Sequence, residues 1–415
     1  MRTERVDVAV VGAGPAGLSA AAVAARSGAS VLVLDESPRP GGRLPLQLHE
    51  APTGWRMGRR EAEALAAAAE AAGARIVTGA GVWGLFPGWE LYLDPVDPAD
   101  PGVVPDRVGA TAVVLATGAG QNPLALPGWT LPGVLCAGAA QMLVNVQRVR
   151  PGRRAVVVGV DPLALTVAHQ LRLAGVEVRA ILPPAPGPFV PGAARPADAV
   201  RQLARFAAHA PSAGLRLAGQ LIDLGGAAGA AELAARFFPR AGTPIWGIPL
   251  MLRRAVTGIQ GEATVTGVRV ADLDGGGQVV AGSEEDWPVD TVVTSAGLFP
   301  LAELAQAAGA RVVHVPELGG HVPVHGPDLE TSVAGLFVAG SLTGVAGAPV
   351  AAVQGCLAGI GVSRRLGLIV PGEAADRLEA ARADLARART DALPLMPDTE
   401  RGLARLAAAW ADATR

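Results

Sequence analysis

The chain has 415 residues, 50% of them hydrophobic, a formal net charge of −2, and no lysine among its 35 basic residues. That length predicts two or three domains, the near-neutral charge gives no footprint for nucleic acid or an anionic membrane, and the lack of lysine excludes Schiff-base chemistry through a lysine amine. Two cysteines, Cys136 and Cys356, with no CxxC between or around them, exclude a redox dithiol, a zinc ribbon and a cysteine-ligated iron–sulfur cluster held by this chain alone.

In chain order, Val6–Val11 is apolar at every position but Asp7 and reads as a strand whose unbroken part, Val8–Val11, is buried on both faces. Ala16–Ser27 reads as a helix of small residues closed by Gly28, and Val31–Leu34 as the next strand. "ESPRPGGRL" is a turn-rich loop, Arg59–Ala72 a helix, and Ala112–Ala116 a strand that ends in Thr117-Gly118. The opening pattern then recurs: strand Ala155–Val158, a turn, helix Pro162–Ala174, Gly175 and strand Glu177–Leu182. Such an echo marks two related βαβ units. Ala199–His209 reads as a helix and Ile248–Val270 as several short strands. A late strand in "GLFVAGS" precedes a glycine loop and a helix of small residues. Beyond Gly372 the Ala-, Arg-, Glu- and Asp-rich chain predicts polar, largely helical, peripheral structure.

No window offers the ~20 uninterrupted apolar residues of a membrane span, and the first strand follows directly on "MRTER", where a signal peptide would place a longer apolar helix. The expectation is a cytoplasmic protein with no transmembrane segment.

Gly12-Ala13-Gly14-Pro15-Ala16-Gly17 is a GxGxxG sequence between a strand and a helix, the context its mechanism demands. Gly12 allows the tight turn, Gly14 lets main chain approach a pyrophosphate, and Gly17 lets helix and strand pack closely. The N-terminus of that helix offers free N–H groups and a partial positive charge suited to phosphates. Asp35 and Glu36 end the second strand, and Asp35, directly after the strand, is the expected acceptor for the ribose hydroxyls. Gly41-Gly42 allows main chain to pass close to a bulky ligand. The second turn is degraded. It reads Gly159-Val160-Asp161-Pro162-Leu163-Ala164, with a carboxylate where a pyrophosphate would lie, bulk at Leu163, and no acid after the strand that ends at Leu182-Pro183. This argues against tight NAD(P)H binding there.

"ATG" at Ala116-Thr117-Gly118 and "AGS" at Ala339-Gly340-Ser341, taken with the first turn, resemble the flavoproteins with two dinucleotide-binding domains, of pyridine nucleotide-disulphide reductase-like fold, over about residues 5–365. The resemblance implies an α/β chain with two Rossmann-like domains, the second inserted in the first. The FAD-binding domain is expected at 1–122 and 286–368, the degenerate second domain at 123–285, and a helical tail at 369–415. It implies FAD held by Gly12, Gly14, Pro15, Ala16, Gly17, Asp35 and Glu36, with Gly42, Arg43, Val82, Ala116, Thr117, Gly118, Gly340 and Ser341 completing the candidate site. Ser341 stands where that family has an aspartate, so it can offer a hydroxyl but no charge.

A narrower resemblance rests on "LDESPRPGGRL", "VWGLFPGWELYL" and "PLALPGWTLPGVLCAGAAQ", Pro123–Gln141. These are similar to the FAD-dependent alpha subunits of opine oxidases, of dye-linked proline and hydroxyproline dehydrogenases, and of hydrogen cyanide synthase. Many of those subunits carry a C-terminal cysteine cluster for a [2Fe–2S] centre; the tail here has no cysteine.

The resemblance implies an FAD-dependent oxidoreductase that takes electrons from an amino or imino acid and works with a partner subunit carrying a further redox centre. Two other readings remain open: a stand-alone NAD(P)H-dependent flavin reductase, and a non-catalytic structural or electron-relay subunit. The tail's Leu378, Leu385, Leu393, Leu403, Leu406 and Trp410 either dock on a partner or fold back on their own domain. No catalytic residue is identified. The six histidines, His49, His169, His209, His314, His321 and His325, show no metal-ligand spacing and read as surface or packing residues; for His49, which follows the Gly-Gly loop, a second reading places it facing the flavin. Both cysteines are expected to be buried, acting as small hydrophobes.

Overall fold

The computed structural model describes residues 2–51, 54–97, 104–187, 195–205, 217, 219, 229–393, 395, 396 and 398–413, the side chains of His49 and Ala51 excepted. The chain divides into two units, Met1–Gly120 with Leu298–Arg415, and Gln121–Gly297.

The first unit begins with the apolar run, which forms strand β1 (Thr3–Val11). A glycine turn leads into α1 (Pro15–Arg26), and β2 (Val31–Asp35) follows, every residue of it buried. Helix α2 (Gly58–Ala71), β3 (Arg75–Thr78), β4 (Ala80–Phe86), β5 (Glu90–Pro95) and β6 (Arg107–Leu115) complete the first pass. β1, β2, β3 and β6 pair in parallel, whereas β4 and β5 add an antiparallel meander to the early half of β6. Parallel strands must be covered on both faces, which is why β2, the late half of β1 (Val8–Val11) and the end of β6 read as unbroken apolar runs.

The second unit repeats the pattern with β7 (Val134–Cys136), β8 (Arg154–Val158), α3 (Pro162–Leu173) and β9 (Glu177–Leu182). Then come β10 (Thr243–Ile245), β11 (Ile248–Leu250), β12 (Arg254–Gln260), β13 (Gly267–Asp272), β14 (Glu285–Pro288) and β15 (Thr291–Thr294). Its main sheet has the order β7-β15-β8-β9-β11-β10, and β12-β13-β14 form a separate antiparallel sheet. β15 is wholly buried between β7 and β8. The return to the first unit therefore falls after Gly297 rather than at the expected boundary of 285/286, because residues 291–294 are the strand that closes this sheet. The helix expected over Ala199–His209 spans Pro196–Arg205, and 206–209 lie outside the described residues.

Back in the first unit, β16 (Leu336–Val338) joins the late half of β6, and α4 (Ala348–Arg365) lies against α1. The tail forms α5 (Pro371–Asp391) and α6 (Thr399–Ala413). Both fold back on the first unit. Leu378 and Leu385 join the core of α1 and α4, and Leu406 closes a cluster with Val315, Leu318, Val322 and Val324, against which Leu403 and Trp410 pack. Arg401 and Arg405 of α6 pair with Glu317. Each buried leucine contributes about 1.5–3 kcal/mol of hydrophobic stabilisation, so the apolar stripe of the tail serves the fold of its own unit.

Candidate functional site

Four strand ends of the first unit meet at one edge of its sheet. Register pairs Val11 with Leu34 and with Leu115, and Leu115 with Val338. Main-chain bonds carry the alignment one residue further: Gly12 N donates to Leu34 O at 2.7 Å, Ala116 N to Val11 O at 2.8 Å, and Ala339 N to Leu115 O at 2.9 Å. The four sequence-predicted segments, Gly12–Gly17, Asp35-Glu36, Ala116–Gly118 and Gly340-Ser341, are thereby gathered outside the carboxyl ends of parallel strands, where open α/β sheets bind ligands.

The three glycines of the first turn have different reasons. Gly12 has φ +107°, and a Cβ there would stand 2.3 Å from Ala116 O. A Cβ on Gly17 would stand 1.8 Å from Gly12 O. Both positions are closed by the protein itself. At Gly14 a Cβ would meet only Gly42 Cα, at 3.9 Å; packing does not require glycine there, and the open space belongs to whatever approaches the turn. Gly14 is also the N-cap of α1 and offers no side-chain bond to the helix. With Pro15 in the first turn, where its missing N–H costs nothing, the remaining N–H groups face that space without a side-chain cap.

The second turn has the opposite chemistry. Asp161 is the N-cap of α3, and its Oδ1 accepts from Ala164 N at 2.8 Å. Its Oδ2 accepts from Ser295 Oγ at 2.7 Å. A Cβ on Gly159 would stand 2.2 Å from Ser295 O. The helix end that would receive a phosphate already holds a carboxylate of its own chain. Burial pushes the Asp161 pKa up from the usual aspartate value, against the bonds from Ser295, Ala164, Leu163 and Gly297.

The other candidates of the first unit divide by what they already hold. Asp35 is buried, and its carboxylate accepts from Ala13 N at 2.5 Å and Ser37 N at 2.8 Å. It fixes the turn, and its remaining lone pairs are available to a hydroxyl. Glu36 beside it is exposed. Gly42 has φ +56°, and a Cβ there would stand 2.9 Å from Gly14 Cα, so the Gly-Gly loop lies directly over the first turn. Arg43 reaches from that loop to Ala119 O at 2.9 Å with one Nη2–H and keeps its other donors. Thr117 Oγ1 donates to Leu301 O, and Ser341 Oγ to Ala346 O, so both hydroxyls are engaged within the unit. Val82 is half-buried in the cluster of Leu32, Leu34 and Leu115. Ala16 is covered by Gly355 of α4: a Cβ there would stand 2.1 Å from Ala16 O.

Sequence reading overlooked one member of this region. Gln354 of α4 is buried and reaches Thr343, next to Gly340-Ser341. The signal was present, as a lone amide in the apolar run "APVAAVQGCLAGIG".

Two expectations about single residues change. Cys136 is exposed, not buried, because it sits at the end of β7 just before the short helix Ala137–Gln141; Cys356 is partly buried in α4, where desolvation raises its pKa and keeps the thiol protonated. Of the histidines, His314 and His321 are cross-strand partners with rings 4.8 Å apart, His169 stacks on Trp246, and His325 is held by Gly326 O. The side chain of His49 and all of His209 lie outside the described residues. Among the described residues, no group of three or more His, Cys, Asp or Glu is placed to hold a metal ion, and no helix is long and apolar enough to cross a membrane.

Residues 6–189 match the family model described as pyridine nucleotide-disulphide oxidoreductase, and residues 323–367 the model described as glucose inhibited division protein A. The chain is 31% identical to an opine oxidase subunit of Rhizobium meliloti, over 95% of this chain and 72% of that one. It is 30% identical to the corresponding opine oxidase subunit of Agrobacterium tumefaciens (strain Ach5), over 88% of this chain and 66% of the relative. The fold resembles that of L-proline dehydrogenase from P. horikoshii, with a TM-score of 0.62 at 19% identity, covering 92% of this chain and 60% of that one. The chain thus spans roughly two thirds of the length of these three relatives.

Proposed function

The chain belongs to the family of these opine oxidase subunits, a group of FAD-dependent oxidoreductases, and from that premise we propose that it is the FAD-carrying component of an enzyme oxidising amino or imino acids. The observation that carries this reading is the contrast between the two turns. The first presents uncapped N–H groups to an open space at Gly14, whereas the second is sealed by Asp161. Of these two turns, only the first is open to a dinucleotide, which favours a flavin over a pair of nucleotide cofactors.

The residues fit FAD. The α1 N-terminus and the Gly41-Gly42 loop would hold the pyrophosphate, Arg43 would add a positive charge beside it, and Asp35 or Glu36 would receive the ribose hydroxyls. Gly340-Ser341 would lie along the ribityl chain. Bound FAD supplies the two-electron acceptor for oxidising a carbon–nitrogen bond. The chain's own part is to bind, orient and shield that group.

The substrate class comes from the relatives, whose names state opine and L-proline oxidation. The opine oxidase relatives are named as subunits, and Cys136 and Cys356 of this sequence are too few to hold an iron–sulfur cluster, so a partner chain would carry the next redox centre. The stand-alone NAD(P)H reductase reading is disfavoured by the sealed second turn.

Purification alone and with the products of neighbouring genes, followed by absorption spectra on adding proline, hydroxyproline, opines, glycine and NADH, tests the reading. Flavin bleaching by one of the amino or imino acids in the complex is expected. A wild-type protein that stays colourless after reconstitution with FAD, or rapid stoichiometric bleaching by micromolar NADH, overturns it.

A further inference from the structure

Gln354 is 3% exposed, within the apolar run of α4. Its Nε2 donates to Thr343 Oγ1 at 2.9 Å, and Thr343 Oγ1 donates to Gly340 O at 3.0 Å. Its Oε1 is shielded from solvent and has no hydrogen-bond partner among the described residues. Folded chains rarely leave a buried amide oxygen unmet, and each such case calls for a partner from outside the chain or a stored strain.

The surroundings say where that partner would come from. The next residue, Gly355, lies so close to α1 that a Cβ would stand 2.1 Å from Ala16 O, and a Cβ on Gly340 would stand 2.9 Å from Ala16 Cβ. Gln354 thus stands where α4 crosses the first turn of α1, and its amide is tied to the Gly340–Thr343 turn that carries Ser341. The orphaned oxygen belongs to the same end of the sheet as the uncapped α1 N-terminus. An amide oxygen accepts; it does not bind a phosphate. It needs a hydroxyl or amine donor.

Resting on the flavin reading above, we propose that Gln354 Oε1 accepts a hydrogen bond from a hydroxyl of the ribityl chain of FAD, or from one water that arrives with it, so that Gln354 is a cofactor-positioning residue. The relay through Thr343 to Gly340 O then has a second purpose. It fixes the amide so that the acceptor, not the donor, is left for the ligand.

The test is Gln354→Met, which keeps length and apolar bulk but loses both donor and acceptor. FAD and ADP affinities are measured by fluorescence titration, together with the melting temperature of the cofactor-free protein. ADP shares the adenosine diphosphate part of FAD and lacks the ribityl chain. The expected result is FAD binding weaker by roughly 3- to 10-fold, the worth of one hydrogen bond, ADP binding unchanged, and an apo melting temperature equal to or above wild type because the unmet oxygen is gone. Gln354→Glu, which keeps an acceptor oxygen at the same reach, is expected to recover most of the lost FAD affinity, and Gln354→Leu, which also lacks an acceptor and is expected to show the same selective loss of FAD, serves where the methionine variant does not fold. Unchanged FAD affinity in Gln354→Met overturns the inference and marks the acceptor as filled by a resident water. A parallel loss for FAD and ADP also overturns it and marks a purely structural role. Failure of the wild type itself to bind FAD overturns the flavin reading, a distinct outcome.

Discussion

Ser295 Oγ donates a 2.7 Å hydrogen bond to Asp161 Oδ2, and this contact closes the second nucleotide-type turn. Both residues are supplied by one unit. The serine follows directly on β15, the strand that the chain inserts between β7 and β8 before it leaves. The carboxylate caps α3 through Ala164 N and takes the place of a ligand anion. Its burial raises its pKa, so its ionised form is disfavoured in the folded protein and stability is lost as pH rises through the raised value, while it is fully present below 3.8.

Asp161→Asn should separate the cap from the charge. Asparagine caps a helix as well as aspartate. The variant is expected to match wild type in acid and to become relatively more stable as pH rises to 8. Asp161→Ala removes the cap and should cost about 1 kcal/mol. Urea denaturation between pH 4 and 8 reads both. A stability difference between wild type and Asp161→Asn that does not vary with pH contradicts the buried-carboxylate account.

Two glycine substitutions in the first turn should behave in opposite ways. Gly14→Ala places its methyl group in open space and should leave the apo melting temperature within a few degrees of wild type, while FAD binding is lost or weakened more than tenfold. Gly17→Ala drives a methyl group into Gly12 O and should destabilise the fold by several kcal/mol, of the order seen for overpacked sites. Melting curves and FAD titration of the two proteins, side by side, check this. Equal melting temperatures for the two variants count against the assignment of Gly17 to packing and Gly14 to ligand approach.

His325 gives a pH dependence of the opposite sign. Burial lowers its pKa from 6.5, aided by Arg389 of α5 and resisted by the bond to Gly326 O and by Asp328, which itself pairs with Arg364 of α4. The unfolded chain then binds the proton more readily, so stability is full above 6.5 and falls as pH drops below it. The melting temperature should decline between pH 6.5 and 5, and His325→Gln should flatten that part of the profile. An unchanged slope in the variant assigns the decline to other groups.

The tail should behave as part of the first unit. Leu406→Ala empties a site shared with Leu318 and Val322 and is expected to cost about 2–5 kcal/mol. Deleting residues 399–413 should lower the melting temperature further, since it exposes that cluster and removes the partners of Glu317. Wild-type thermal stability in the truncated protein contradicts this role.

Local sequence determined a good deal. The apolar runs at β2 and at the ends of β1 and β6 could only be strands covered on both faces, and Gly12–Gly17 could only be a turn into a helix, because no other residues permit those backbone approaches. The degraded second turn was also legible, since Asp161 is the wrong charge for a phosphate wherever it points. Tertiary structure decided the rest. Whether Asp35 faces a ligand or the Ala13 amide depends on how closely β2 and the turn approach, which no periodicity records. The return point after Gly297 depends on which sheet residues 291–294 complete, and an apolar strand fits either. The leucines of the tail carry the same helical stripe whether they meet a partner or their own unit; only the unfilled faces of α4 and of Leu318 select the latter. Gln354 shows the limit most directly, because a lone amide in an apolar helix is visible in the sequence, but its unmet oxygen exists only once α1, α4 and the Gly340 turn are packed together.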